Sequence, residues 1–324
     1  MKMSKMLLMA VALAASSTAV LAADDYPSKP VKLVVGFPPG GPTDIIARVI
    51  GQSLAAELGK PVIIENQGGA GGVIAAASVV KAKPDGHTLL VSVESAQTRA
   101  LAMNGNLAYD QVRDFTFIRK VARQRSLIVA HPGVPVSDVK GLIAYLKARP
   151  SEVNTGGTFG TSSHIGGMFL DMMNDTKMTF INYPGGAQPI IDTIAGTVQV
   201  GFFTEATVAQ HVKSGKLKAL AIAGSERSPG LPDLPTVEES GGKLRDPSPW
   251  FGIVGPAALP PAVVKKVGDA LDAMMQNKEF VAQLEKIGAS PIRGSTADKF
   301  AKEVGEEVDF WNKWAKENKT PLAR

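Results

Sequence analysis

The stretch "VKLVVGFPPGGPTDIIAR", residues 31–48, decides the fold. Its opening, "VKLVVGF", is a short apolar run bounded by proline and glycine, which reads as a buried strand. A helix follows. Ile46, Val49, Ile50, Leu54 and Leu58 fall on one stripe, and Gly59 with Pro61 ends it. The loop between them matches the phosphate-loop pattern G-x-x-x-x-G-K-[ST] at Gly36, Gly41 and Thr43, but Pro42 stands at the lysine position. Polyphosphate binding needs that cation, a magnesium ligand and a dedicated acid. Here Asp44 would repel a phosphate. A carboxylate carries less charge, and backbone N–H groups with the Thr43 or Ser162 hydroxyls can hold it. Asp44 itself is expected to cap the helix by accepting its N–H bonds.

Outward from this unit the pattern repeats. "VIIEN", "HTLLVSV" and "FTFIRKVAR" read as further strands, with "VIAAASVVKAK" as a helix between the first two. Strand–helix alternation at this spacing implies parallel strands with right-handed crossovers. A second unit starts at "SLIVAHP" and continues through "VNTGG", "MTFINY", "VQVGFFT" and "LKALAIAG", interleaved with helices. A Pro-rich connector, "SERSPGLPDLPTVEESG", leads to "WFGIVGPAALP" and three helices. The last helix carries Phe300, Val304, Val308, Trp311 and Ala315 on one stripe, expected to be core contact. These helices have too few strands for a third domain, so they are expected to pack on the first unit. The expected organisation is a two-lobe α/β protein with mostly parallel sheets flanked by helices. Lobe 1 covers 23–125 plus 237–324 and lobe 2 covers 126–236, with hinges near Ser126 and before Trp250.

Composition narrows the function. "MKMSKMLLMAVALAASSTAVLA" has a basic start, an apolar middle and a small-residue exit, the order of a secretory signal peptide (1–22) cleaved near Ala22. An exported, periplasmic protein is expected. The chain has no cysteine, which rules out disulfides, thiolate nucleophiles and cysteine metal sites. The formal charge of +5 includes Lys2 and Lys5 of the leader. The basic run "RKVARQR" (119–125) lacks interleaved aromatics and reads as a solvated face, with no nucleic-acid partner. The four histidines, His87, His131, His164 and His211, show no ligand spacing, so no metal or cofactor is expected. No G-x-S-x-G elbow occurs, and Ser162 with His164 at a helix start point in different directions, so His164 is expected near the cleft but not as a base. A dinucleotide reading of Gly69-x-Gly71 with Glu94 fails at Ile74, where a third glycine is needed.

Ligands of open α/β sheets bind beyond the carboxyl ends of the strands. Those ends are "FPPGGPTD", "NQGGAGG" and "VESAQT" in the first unit, and "NTGGTFGTSSH", "NYPGGAQ" and "FFTEAT" in the second. Any one could be an ordinary strand-to-helix turn. Several, divided between two lobes, point to a ligand cleft.

The stretches "YPSKPVKLVVGFPPGGPTDIIAR", "PVIIENQGGAGG", "KPDGHTLL", "YDQVRDFTFI", "NTGGTFGTSSHIGGMF", "YPGGAQPIIDTIAGTVQVGF" and "WFGIVGPAALP" carry a resemblance. The chain resembles the substrate-binding proteins of tripartite tricarboxylate transporters, the Bug family. The resemblance implies a type II periplasmic-binding clamshell (a Venus flytrap) that is not an enzyme. It also implies a small carboxylate gripped by backbone amides, hydroxyls and waters from both lobes. Candidate ligand-binding residues are Phe37, Gly40, Gly41, Thr43, Asp44 and Ser95 in lobe 1. In lobe 2 they are Gly157, Gly160, Thr161, Ser162, Ser163, Tyr183, Gly186, Phe203 and Glu205. The family's usual "YKGG" reads "YPGG" here, so Pro184 removes a cation and a backbone donor. A monocarboxylate or aromatic carboxylate is then as suitable as a tricarboxylate. The expected function is a monomeric receptor delivering a small organic acid to membrane transporter subunits. The alternatives are a sensing protein that presents the ligand to a receptor, and an exported enzyme.

Overall fold

The computed structural model describes residues 26–224 and 226–317, and the expected leader lies outside them. In the first lobe, β1 (Val31–Val35) leads into α1 (Pro42–Leu58), β2 (Val62–Asn66), α2 (Val73–Val80), β3 (Thr88–Val93), α3 (Ala100–Asn104) and β4 (Phe115–Gln124). The chain then crosses to β5 (Ser126–Ala130), α4 (Val139–Ala148), β6 (Asn154–Gly157), α5 (Ser162–Asn174), β7 (Thr179–Asn182), α6 (Ala187–Ile194), β8 (Val200–Thr204), α7 (Glu205–Lys213) and β9 (Lys218–Ile222). It returns as β10 (Trp250–Pro256), α8 (Pro261–Gln276), α9 (Lys278–Lys286), β11 (Ala289–Pro291) and α10 (Ala297–Glu317).

Two sheets result, ordered β11-β4-β10-β3-β1-β2 and β7-β6-β8-β5-β9. β1 pairs in parallel with β2 and β3, and β6 with β7 and β8. β10 runs antiparallel between β3 and β4, and β5 antiparallel between β8 and β9. Connectivity explains this. β4 ends at the cleft, as every strand followed by a cleft loop must. The next strand therefore starts at the cleft and runs away from it, and the same holds for β10 on the return. The reversal of β5 and β10 is the geometric result of crossing twice at the cleft floor, and the short β11 also runs antiparallel to β4.

The local forces match the sequence reading at α1. Ile46, Ile50, Leu54 and Leu58 are buried, and Gly59 ends the helix at φ 66°, a left-handed conformation that glycine adopts without strain. α1 packs with α8 and α9 on one face of the first sheet, around Leu33, Leu271, Met274 and Phe280. On the other face, α2 and α10 bury Val79, Phe300 and Val304 against Phe117 and Trp250. The second sheet buries Leu142, Leu170 and Phe202 on one side and Ile190, Phe203 and Val208 on the other.

Three sequence expectations need correcting. "RKVARQR" is not a solvated face: it is the end of β4 and the crossing, and its charges are paired. Arg119 meets Asp272, the buried Lys120 meets Glu303, Arg123 meets Asp246, and Arg125 lies 3.9 Å from Glu205. β11 was not expected; three residues ending in proline are too short for a periodic signal. "VESAQT" leads from β3 into a helix of unexpected type, because Ser95–Arg99 forms a π-helical turn continuous with α3. The α10 stripe is core contact, but Trp311 also reaches across the lobes. It stacks on Phe169 of α5 at 5.8 Å and clusters with Met103 and Ile165. Among the described residues no helix is long and apolar enough to cross a membrane.

The Phe300 ring meets Phe117 at 5.0 Å and Trp250 at 5.3 Å, fully buried between α10 and the first sheet. Phe300→Ala is expected to lower the unfolding free energy by about 3–5 kcal/mol, read by urea denaturation. A loss under about 1 kcal/mol would show that α10 contributes little to this core.

Candidate functional site

A cavity of about 270 Å³ lies between the lobes, at the carboxyl ends of the strands. Lobe 1 contributes Phe37 to Pro39 and Gly41 to Thr43 from the β1–α1 loop and the α1 start, Val93 to Ser95 from the end of β3, and Pro249 and Phe251 from the return crossing. Lobe 2 contributes Thr158 and Thr161 to Ser163 before α5, Pro184 to Gln188 before α6, and Phe202 to Thr204 with Thr207 at the end of β8. Glu94 is the single ionisable side chain among these residues. Phenylalanine and proline form much of the wall, and hydroxyls supply most of the polar groups.

Four helices open here. α1 has Gly41 as its N-cap, α5 has Thr161, α6 has Gly186 and α7 has Thr204, and none of these caps accepts a backbone amide of its helix through a side chain. By contrast, α4 and α9 open away from the cavity and are capped by Asp138 and Asn277. The first amides of a helix have no partner within it and carry the positive end of its dipole. In α1 the first amide to bond back into the helix is that of Ile45, onto the Gly41 carbonyl. In α5, His164 and Ile165 both bond back to Thr161. The amides of Thr43 and Asp44 from one lobe, and of Ser162 and Ser163 from the other, are thus left for a ligand.

The loops are held rigidly. The Asp44 carboxylate is buried and accepts from the Gly40 amide (3.0 Å), from Arg48 Nε (2.9 Å) and from Asn66 Nδ2 (2.9 Å). Asn66 also donates to the Phe37 carbonyl. Asp44 therefore does not cap the helix's own amides, as expected from the sequence. Instead it ties the β1–α1 loop to the end of β2. Burial alone would raise the Asp44 carboxyl, but the Arg48, Gly40 and Asn66 bonds outweigh it and hold the group below its ordinary value. In lobe 2, Thr161 Oγ1 donates to the Thr158 carbonyl and meets Ser163 Oγ at 2.9 Å. His164 packs between Phe159 and Phe180 and accepts from the Gly160 amide through Nδ1 at 3.3 Å. Burial, and then the charge of Arg99, push its imidazole down to about 4. It is a neutral brace for this loop.

Of the residues singled out in the sequence, Phe37, Gly41, Thr43, Ser95, Thr161, Ser162, Ser163, Gly186 and Phe203 line the cavity. The other six lie behind it. Gly40 and Asp44 form the brace just described. Gly157 lies so close under Ser163 that no Cβ fits, and Gly160, at φ 75°, faces Met103 of lobe 1. Tyr183 turns its hydroxyl to Asp192 (2.6 Å). Glu205 sits at the crossing, accepting from Ser228 Oγ at 2.7 Å. The "NQGGAGG" loop is not in the lining either; Gly68 and Gly71 pack behind it, against Pro38 and the Phe159 carbonyl. The sequence reading did not select Glu94, Thr158, Gln188 or Thr207. Their positions at strand ends were the available signal.

The two lobes touch at the cavity rim. A Cβ on Gly185 would lie 3.2 Å from Pro38, and one on Gly186 3.1 Å from Pro42. Two α/β lobes joined at the cleft floor, with helix starts from both at one cavity, define a solute-binding protein of the periplasmic type. Comparison with known proteins agrees. Residues 46–318 match the family described as "Tripartite tricarboxylate transporter family receptor", and the chain belongs to it. This is a family of binding proteins, not enzymes. The chain is 32% identical to BugT of Bordetella pertussis over 299 residues, 92% of this chain and 91% of BugT. MatC of Rhodopseudomonas palustris, solved with bound malate, superposes with a TM-score of 0.83 at 30% identity, over 90% of this chain and 100% of MatC. An R. palustris protein solved with adipate gives 0.86 at 29%, over 90% and 98%.

The His164 imidazole is neutral when folded, so protonation favours the unfolded chain. Its contribution is present above the ordinary value of 6.5 and is lost as pH falls from there towards about 4. The loss amounts to about 3 kcal/mol once pH is below the folded value. Urea denaturation at pH 6.5 and 5 should show this decline in the wild type and a flatter profile in His164→Phe. Parallel profiles would mean that the imidazole is not shielded.

Proposed function

We propose that this protein is an exported receptor, its leader removed near Ala22, that captures one small organic carboxylate between its lobes. It then delivers the acid to the membrane subunits of a tripartite tricarboxylate-type transporter. The observation that carries this reading is the convergence of uncapped helix starts from both lobes on a cavity that, among the described residues, no lysine, arginine or histidine lines. Such a site suits an anion of modest charge. Hydrogen bonds to an ionised group contribute about 1.5–3 kcal/mol each, so several amides and hydroxyls together replace a cation. Capture by both lobes would also hold them together, which is how binding becomes a shape the transporter can read. The relatives solved with malate and adipate support a carboxylate, and the family description supports a transporter over a sensory receptor.

A thermal-shift screen of small mono-, di- and tricarboxylates tests this. An acid at ~100 times its dissociation constant is expected to stabilise the protein by roughly 2.7 kcal/mol. Thr43→Ala should raise the dissociation constant of that acid about tenfold or more, since it removes a hydroxyl donor at the α1 start. No shift with any carboxylate would overturn the reading, and turnover of a bound acid would replace it with an enzyme.

A further inference from the structure

The cavity contains one feature that an anion site does not call for. Glu94 ends β3 and lines the cavity, yet is only 7% exposed. Its Oε1 is held by Arg99 Nη2. Its Oε2 is buried and meets no donor among the described residues. Across the cleft, Thr158 also lines the cavity, is 8% exposed, and has a buried Oγ1 without a partner. Buried polar atoms almost always have a hydrogen-bond partner, so two such oxygens, on residues that line the cavity from opposite lobes, call for a group that is not part of the protein.

The charge state decides what that group is. Arg99 is buried, with its guanidinium over the Trp311 ring at 5.5 Å. Burial pushes the Glu94 carboxyl up and the Arg99 guanidinium down, and the attraction within the pair opposes both shifts. A guanidinium does not release its proton in a protein. Protonating Glu94 would leave that buried cation without its contacting counter-charge, which costs more than keeping the pair ionic. Oε2 is therefore an acceptor with its charge shared towards Arg99.

We propose that Glu94 determines ligand specificity by accepting a hydrogen bond from a hydroxyl or ammonium group on the bound acid, so the protein selects donor-bearing monocarboxylates over dicarboxylates. This rests on the carboxylate-capture reading above. The ligand's carboxylate takes the amides at the α1 and α5 starts, and its donor reaches Oε2. A second carboxylate placed at Glu94 meets a like charge with no proton between them, and no side-chain cation lines the cavity to offset the repulsion.

Calorimetry on one carbon skeleton tests it: butanoate, its 2-, 3- and 4-hydroxy derivatives, 4-aminobutanoate and succinate. At least one hydroxy or amino acid is expected to bind the wild type tenfold or more tightly than butanoate, with succinate weaker than butanoate. Glu94→Gln keeps an amide oxygen for Arg99 but presents N–H towards the cavity. It should abolish the preference for the donor-bearing acid and improve succinate at least tenfold relative to it. Equal binding of butanoate and its derivatives, or succinate as the tightest ligand of the wild type, overturns the role of Glu94 while carboxylate capture stands. Failure of every acid to bind overturns carboxylate capture itself. If Glu94→Gln does not fold, the wild-type ranking alone decides.

Discussion

The architecture depends on where the chain crosses between its lobes. Both crossings lie at the cleft floor, where the Gln124 amide bonds to the Pro249 carbonyl and the Arg125 amide to that of Gly288. A strand that leaves the floor must run away from it, which reverses β5 and β10. The strands that carry cleft loops end at the floor, so the helices after β1, β6, β7 and β8 start there. Helix starts from two separate lobes thus face one cavity as a consequence of connectivity. No single loop has to be specialised for the purpose.

Electrostatics then follows from what is kept out of the cavity. The basic residues near the crossing are neutralised in place: Lys120 by Glu303, Arg123 by Asp246, and Arg99 by Glu94. Asp44 is occupied by Arg48, Gly40 and Asn66, so its charge sits in a hydrogen-bonded brace and not against the ligand. What remains for the ligand's carboxylate is a set of fixed dipoles, with Glu94 set apart from them at the end of β3; such dipoles suit a single negative charge better than a polyphosphate. The approach of Pro38 to Gly185 and of Pro42 to Gly186 shows how closely the lobes meet, and a Cβ on either glycine would require the facing proline to give way slightly.

Much of this was legible in the sequence. The strand–loop–helix unit at 31–48 declared itself through apolar runs, a 3.6-residue stripe and a glycine stop, each a local signal. The hydroxyls of "TSS" were readable as cleft material for the same reason, whereas the lining prolines Pro38, Pro39, Pro42 and Pro184 were not among the expected contacts. Strand direction was not legible, because β5 and β10 are apolar runs like their parallel neighbours. Asp44 looked like a cap because its partner Asn66 lies 22 residues away, beyond any local pattern. The Glu94–Arg99 pair was hidden by a π-helical turn, whose spacing of five residues no helical periodicity anticipates. Trp311 read as core, and its contact with Phe169 in the other lobe depends on closure of the whole molecule.

The central claim is that amides from both lobes, not a side-chain cation, hold the carboxylate. Its most direct test is a titration followed by amide nitrogen–proton NMR, using the tightest-binding small carboxylate. The account predicts large downfield proton shifts at Thr43 and Asp44 in one lobe and at Ser162 and Ser163 in the other, moving together with one dissociation constant. Shifts confined to one lobe, or centred on a lysine or arginine outside the cavity, would contradict it.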